Sequence, residues 1–232
     1  MIAPIGYPRV NLNLEMWQRP WLKYGGNPLC PYIERDVWMA LELASRIIYE
    51  KFPDRPDRTM WLGDACPYTG GCGGCSSWRE NGGRCGGHPH GSHSYRRSID
   101  LNYYTLVGFD RDKGLWGNIT QYAPKGLSTT HIWANNNPGE MRLKPGVFDA
   151  ERNYHFAVTL KKILGIDPAV NYGTQDILKA EMVKYAKTRD EMIFFNHRCS
   201  ETTGLTYNHH THVHMVLKNP RTWSYINLKP WL

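Results

Sequence analysis

Near its C-terminal end the chain carries the sequence His209-His210-Thr211-His212-Val213-His214-Met215-Val216-Leu217. An alternation of apolar and other residues with a period of two is typical of a β-strand that turns one face to the core. The period predicts a core face of Val213, Met215 and Leu217. It places His210, His212, His214 and Val216 on the opposite face, so we expect His212 and His214 to face one pocket.

A second strand is predicted over residues 98–106. Its core face carries Ile99, Leu101 and Tyr103, and its polar face carries Ser98, Asp100 and Asn102. Asp100 therefore lies on the polar face of a strand whose other face packs in the core. This placement suits a metal ligand.

An earlier histidine run, His90-Gly91-Ser92-His93, precedes this strand, and six of the ten histidines lie in this run or in the late cluster. His93 and Asp100 are an odd number of residues apart, so they cannot share one face of a straight strand. His93 is therefore expected in the preceding loop, folded back over the strand. Together with His214, these residues predict a zinc site, because imidazole and carboxylate without thiolate suit a zinc ion that keeps one position open for water.

A zinc ion of this type lowers the pKa of its bound water towards about 7, which provides a nucleophile at neutral pH. His212 is near enough to His214 to act as a base or to orient that water. A lone histidine is more often a surface or hydrogen-bonded group. A pair at i and i+2 with an apolar residue between them fits a metal or catalytic site as well as it fits two surface groups.

Composition and charge limit the possible partners. With 41% hydrophobic and 21% charged residues in 232 positions, the chain is expected to form one globular domain with a full core. The net charge of +7 favours polyanionic partners such as nucleic acid or bacterial cell wall, or simply a solvated surface. The basic residues are scattered and form no nucleic-acid-binding tail. No apolar stretch reaches the roughly 20 residues of a membrane span, and residues 1–5 lack a signal-peptide pattern.

The cysteines concentrate in a glycine-rich segment, residues 63–94, which is predicted to be one long functional loop. Four of the six lie there: Cys66, Cys72, Cys75 and Cys85. Cys30 and Cys199 stand apart. An even count with local clustering favours disulfides formed in an oxidising compartment, with pairing left open. The alternative is a structural zinc knuckle, although only one Cys-x2-Cys pair is present.

Three helices are predicted elsewhere in the chain. The first begins near Asp36 and ends before Pro53, with an apolar stripe at i, i+4, i+7 and i+11 from Val37. The second is capped by Asp149 and ends near Leu164. The third is capped by Asp176 and runs to about residue 186.

Short strands are predicted at residues 59–62 and 169–172, and loops or a hairpin at 107–147. Residues 192–195 fit either a strand or a helix. Residues 1–34 are rich in Pro, Asn and aromatic residues without a clear period, so we expect an irregular N-terminal arm followed by a single domain over residues 35–232.

The pattern His90-x2-His93-x6-Asp100, followed much later by His209-x2-His212-x-His214, resembles the penicillin-insensitive murein endopeptidases. These belong to a wider group of zinc proteins that includes lysostaphin, the D-alanyl-D-alanine carboxypeptidases and the Hedgehog signalling domain. The approach to the first motif is also similar, with Gly63-Asp64, the run Gly86-Gly87-His88-Pro89-His90, and a strand that ends in Asn102-Tyr103-Tyr104. The resemblance covers roughly residues 36–217.

The resemblance implies an α+β fold of the Hedgehog/DD-peptidase type, with a small antiparallel sheet, helices on one face and the Cys/Gly-rich loop over the metal. It implies that His93, Asp100 and His214 bind one zinc ion per chain. His212 would be the catalytic base or transition-state stabiliser, and His90 and His209 would support the pocket.

The implied activity is hydrolysis of peptidoglycan cross-links, typically between D-alanine and meso-diaminopimelate, in a periplasmic or secreted setting. A phage or lysis particle is compatible with the missing signal pattern. No nucleic-acid partner is implied.

Three positions depart from the family pattern. Arg96 replaces a glycine, Ser98 replaces an additional aspartate, and Val216 replaces an arginine. All three changes spare the metal ligands, so they affect the expected scissile bond more than the expected metal.

Two other classes of function fit parts of the pattern. Metal-dependent nucleases also combine basic charge with histidine pairs, but their histidines lie within a few dozen residues of each other. A zinc-stabilised cell-wall-binding domain without turnover would keep the ligands. Such a domain needs no base, and His212 argues against it.

Overall fold

A computed structural model of the chain describes residues 9–15, 19–26, 31–63, 65, 98–107, 120–122, 141–143, 146–164, 170–173, 176–189, 191 and 212–217. The strands in this part are β1 (Arg9–Asn11), β2 (Leu22–Tyr24), β3 (Tyr32–Glu34), β4 (Met60–Leu62), β5 (Ser98–Asn102), β6 (Thr120–Tyr122), β7 (Met141–Leu143), β8 (Val170–Gly173) and β9 (His212–Leu217). The helices are α1 (Leu12–Glu15), α2 (Arg35–Lys51), α3 (Ala150–Leu164) and α4 (Asp176–Met182), which continues into a 3-10 helix over Val183–Tyr185.

The main sheet has five strands in the order β2-β4-β5-β9-β8. β5 and β9 are its central pair, and β4, β5, β9 and β8 are antiparallel neighbours. β1 pairs with β3, and β6 pairs with β7, in two further two-stranded antiparallel sheets. Helices combined with small sheets agree with the predicted α+β class.

The edge of the main sheet differs from the prediction of an antiparallel sheet, because β2 pairs with β4 in parallel. Parallel neighbours need a crossover, and β3 and α2 supply it between these two strands. The described part of residues 1–34 is therefore more ordered than its sequence pattern predicts. Its strands have only three residues each, too few for a period of two to be recognised.

One face of the sheet packs into the main core. Leu101 lies opposite Leu62 on one side and opposite Val213 on the other, and all three are buried. This confirms the predicted core face of β5 and, in β9, the predicted core position of Val213. The core continues into α2 and α3 through these buried residues: Val37, Leu41, Ala44, Ile48, Phe156, Leu160 and Ile163.

The first predicted helix is confirmed as α2. Its apolar stripe from Val37 to Ile48 is buried, which explains why the period of the sequence predicts it well. The helix ends at Lys51, two residues before Pro53, since a proline restricts the residue before it to extended conformations. A last backbone hydrogen bond joins the Phe52 amide to the Ile48 carbonyl at 3.2 Å.

The second predicted helix is confirmed as α3, and Asp149 is its N-cap. Its carboxylate accepts a hydrogen bond from the Arg152 backbone amide at 3.0 Å, the usual contact from an N-cap side chain to the third helical residue. The predicted strand at residues 169–172 corresponds to β8. The third helix begins at Asp176 as α4 but ends at Met182, where the 3-10 helix takes over.

A fully buried arginine joins α3 to two loops, which the sequence did not predict. The Arg152 side chain is 1% exposed and donates to the Asp149 carboxylate at 2.7 Å. It also donates to the backbone carbonyls of Asp57 at 3.1 Å and Thr105 at 2.6 Å. A buried guanidinium is tolerable only when charge and hydrogen bonds compensate for its lost hydration.

Acidification is expected to weaken the contact between α2 and α3 through His155. The Lys51 ammonium lies 3.0 Å from His155 Nδ1, and burial, followed by this positive charge, lowers the pKa of His155 from its ordinary 6.5. As the pH falls, the His155 imidazole of the unfolded chain is therefore protonated at a higher pH than that of the folded chain. The free energy of unfolding should fall as the pH drops below about 6.5. Urea unfolding at pH 7 and pH 5 measures this loss, which should be smaller in His155→Gln.

Glu191 provides an internal comparison for that experiment. A hydrogen bond from the Tyr154 hydroxyl lowers the pKa of the Glu191 carboxyl below its ordinary 4.5. The ionised Glu191 carboxylate stabilises the fold above about pH 4.5, and this stabilisation is lost as the pH falls below that value. The loss therefore lies outside the range from pH 7 to pH 5 in which His155 acts. Identical pH dependence of wild type and His155→Gln between pH 7 and pH 5 would contradict the role of His155.

Several predictions lie outside the described residues. They concern all six cysteines, almost all of the 63–94 loop and residues 192–195. No helix in the part of the chain that the structure describes is long and apolar enough to cross a membrane.

Candidate metal centre

The register of the two central strands brings together residues that are more than a hundred positions apart in the sequence. Asp100 lies directly opposite His214, and Asn102 lies directly opposite His212. Residues at opposed positions of an antiparallel pair share a face, with Cβ atoms about 4.5–5.5 Å apart. The four positions therefore form a two-by-two block on the face of the sheet that lies away from Leu101 and Val213.

This block combines two separate predictions. Strand alternation predicted that positions 212 and 214 share a face and that Asp100 and Asn102 share a face. Alternation within a strand carries no information about which strand is its neighbour, so the sequence could not predict the register. The pairing of β5 with β9 places the carboxylate position beside the histidine positions.

The polar face of β5 is also buried. Asp100 is 0% exposed and Asn102 is 5% exposed, although the sequence pattern alone predicted only that this face is polar. Taking a carboxylate out of water costs several kcal/mol unless a cation or hydrogen bonds compensate. A carboxylate held at this depth beside histidine positions is the kind of ligand that a zinc site uses.

Two glycines flank the Asp100–His214 pair. The Gly63 amide donates to the Asp100 backbone carbonyl at 2.7 Å, and Gly173 lies opposite His214 on the β8 side. The row across the sheet is therefore Gly63, Asp100, His214 and Gly173. Because glycine has no side chain, neither of these two neighbours contributes a side chain beside the pair. Sequence reasoning missed the role of Gly173, since nothing local distinguishes it from a turn glycine.

Asn102 and Asn153 are both buried asparagines, but their surroundings differ. The Asn153 side chain accepts from the Tyr104 amide at 3.0 Å and donates to the Tyr104 and Asp149 carbonyls at 2.9 and 2.7 Å. Among the residues that the structure describes, neither side-chain polar atom of Asn102 has a hydrogen-bond partner. Buried amides are normally satisfied, so this one requires an explanation.

The Asn153 contacts also position the site. The Asn153 side chain forms hydrogen bonds with both the backbone amide and the backbone carbonyl of Tyr104, two residues beyond Asn102. Arg152 binds the next carbonyl, that of Thr105. The start of α3 thereby holds the chain that leaves β5, the strand that carries Asp100 and Asn102.

The remaining predicted site residues are not all described. The structure gives the strand positions of His212 and His214, whereas His90, His93 and His209 lie outside the described residues, as does His210. Within those described, no three His, Cys, Asp or Glu side chains form a metal-binding group. The predicted zinc site includes His93, which is not one of the described residues.

The donor types nevertheless fit zinc. A buried carboxylate at position 100 lies opposite an imidazole-bearing position at 214. No model of a known protein family matches this sequence, and no curated protein matches it.

Proposed function

We propose that the chain is a zinc-dependent peptidoglycan endopeptidase that hydrolyses murein peptide cross-links of the D-alanyl–diaminopimelate type. The observation that carries the proposal is the register that sets Asp100 opposite His214 at the centre of the sheet. The proposal includes a Hedgehog/DD-peptidase-like fold, for which the antiparallel β4-β5-β9-β8 core of the sheet is supporting geometry.

His93, Asp100 and His214 would hold the zinc ion in this proposal. The bound metal would supply Lewis-acid activation of a water molecule and of the scissile carbonyl. The burial of Asp100 supports the assignment, since a carboxylate attracts a cation more strongly when it is shielded from water. Two neutral imidazoles and one carboxylate also leave a coordination position for water.

His212 would carry out the proton transfers. Its position is two residues from His214 on the same strand face, about 7 Å along the backbone, so its side chain could reach a water molecule that zinc would hold. An imidazole titrates near neutral pH, so it can take a proton from the attacking water and return it to the leaving amine. His90 and His209 would line the pocket and support this group.

The setting proposed is periplasmic or secreted, with peptidoglycan peptide as the partner. The net charge of +7 favours approach to an anionic wall. Disulfides within the 63–94 loop belong to the same proposal, because an oxidising compartment allows them to persist.

Digestion of purified muropeptide dimers tests the proposed function. The wild-type protein should convert cross-linked dimers to monomers, a chelator should stop the conversion, zinc should restore it, and penicillin should have no effect. Chelator-insensitive cleavage, or no cleavage by a zinc-loaded protein, would exclude the proposal. Cleavage of DNA or RNA instead would favour the nuclease class.

His212→Ala is expected to lower kcat by about a hundredfold to ten-thousandfold, the usual contribution of a general base. The zinc content should remain at the wild-type level, because this residue is not a proposed ligand. Steady-state kinetics on a muropeptide dimer, combined with metal analysis of the same sample, measures both quantities. Unchanged kcat would remove His212 from its assigned role.

A further inference from the structure

We propose that Asn102 is a substrate-binding residue whose carboxamide pairs with a peptide group next to the scissile bond. The inference rests on the proposed function and adds a residue that determines which substrates are accepted. Asn102 is 5% exposed, lies in the two-by-two block beside Asp100, and has no hydrogen-bond partner for Oδ1 or Nδ2 among the described residues.

Fold stability does not account for an asparagine at this position. Each buried polar atom without a partner costs free energy, so an apolar residue of similar shape would stabilise the folded protein more. A residue that lowers stability in a candidate site points to a role in binding.

The chemistry of the carboxamide selects the ligand class. It offers one acceptor oxygen and one donor nitrogen, which together match the N–H and C=O of a peptide group. Asp100 and Asn102 are two residues apart on one face, so about 7 Å of strand separates them. This is about the length of two residues of extended peptide. A substrate with its scissile carbonyl near Asp100 therefore presents a flanking peptide group to Asn102.

Asn102→Leu tests this role, with Asn153→Leu as the comparison for stability. In Asn102→Leu the free energy of unfolding should be equal to or above that of the wild type, and zinc content should be unchanged. The value of kcat/KM on a muropeptide dimer should fall about tenfold to a hundredfold, the usual effect of losing such hydrogen bonds. Asn153→Leu should instead lower the free energy of unfolding, because it leaves the Tyr104 backbone groups without their partners.

A substrate analogue separates binding by Asn102 from a general disturbance of the pocket. The peptide groups that flank the scissile bond are replaced by esters one at a time, which removes the N–H donor. For one of the two analogues, the wild type should lose activity and Asn102→Leu should show no further loss. Equal losses in both proteins for both analogues would overturn the inference.

The outcomes also distinguish this inference from the proposed function. A wild-type protein that holds zinc but cleaves no muropeptide would overturn the proposed function, and the role of Asn102 with it. An active wild type together with an Asn102→Leu variant of unchanged kcat/KM would overturn the role of Asn102 alone. A destabilised Asn102→Leu variant would show that the amide serves the fold and would likewise overturn it.

Discussion

Asp100→Asn is expected to lose bound zinc and to lower kcat/KM by at least about a thousandfold. The substitution keeps the size of a fully buried side chain but removes the negative charge that a zinc ligand set requires. Without the metal, the water and the scissile carbonyl are no longer activated. Zinc analysis after dialysis and kinetics on muropeptide dimers measure the two effects on one preparation.

Asp149→Asn is the matched control, because Asp149 is the other buried aspartate that the structure describes in the core region. It binds the Arg152 side chain at 2.7 Å rather than facing the histidine positions. This variant should lose stability and keep its zinc. If Asp149→Asn loses zinc as completely as Asp100→Asn, the metal does not depend on Asp100 in particular and the site assignment is wrong.

Arg152→Met is expected to lower the free energy of unfolding by about 3–5 kcal/mol, the usual cost of removing one partner of a buried ion pair. The loss leaves the Asp149 carboxylate buried and removes the donors to the Asp57 and Thr105 carbonyls. For a chain of this length the melting temperature should fall by roughly 10 °C. Urea unfolding followed by circular dichroism measures the free energy.

The double variant Asp149→Asn with Arg152→Met tests the cause of that loss. Removing both charges should destabilise the protein by less than the sum of the single effects, because no unpaired charge remains. A loss below about 1 kcal/mol in Arg152→Met alone would show that the buried pair contributes little to stability.

Local patterns were sufficient to predict the helices. The stripe that begins at Val37 needs only a period of 3.6, and the cap at Asp149 needs only a short polar side chain before an apolar run. Both depend on residues within a few positions of each other. The end of the third helix differs from the prediction of about residue 186, because α4 ends at Met182 where the 3-10 helix begins.

Long-range features could not be predicted in the same way. The buried position of Arg152 depends on carbonyls of Asp57 and Thr105, which are 95 and 47 positions away. β2 has three residues and joins the sheet only because the chain crosses over to β4. No local pattern encodes either contact.

The candidate site was predicted in part for the same reason. Alternation identified the faces of His212, His214 and Asp100, whereas the register that aligns them depends on the packing of two strands. The Asn102 amide has no hydrogen-bond partner among the described residues, and this could not be predicted because burial of the polar face of β5 depends on what covers it. The roles of all the candidate site residues stay predictions: His90, His93, Asp100, His209, His212 and His214.

X-ray absorption spectroscopy of the zinc-loaded wild-type protein tests the central claim most directly. Ligation by His93, Asp100 and His214 predicts one zinc ion per chain with only nitrogen and oxygen scatterers, at about 2.0–2.1 Å. Sulfur scatterers at about 2.3 Å would place the metal in the cysteine cluster instead. That result, or a protein that binds no zinc, would contradict the account.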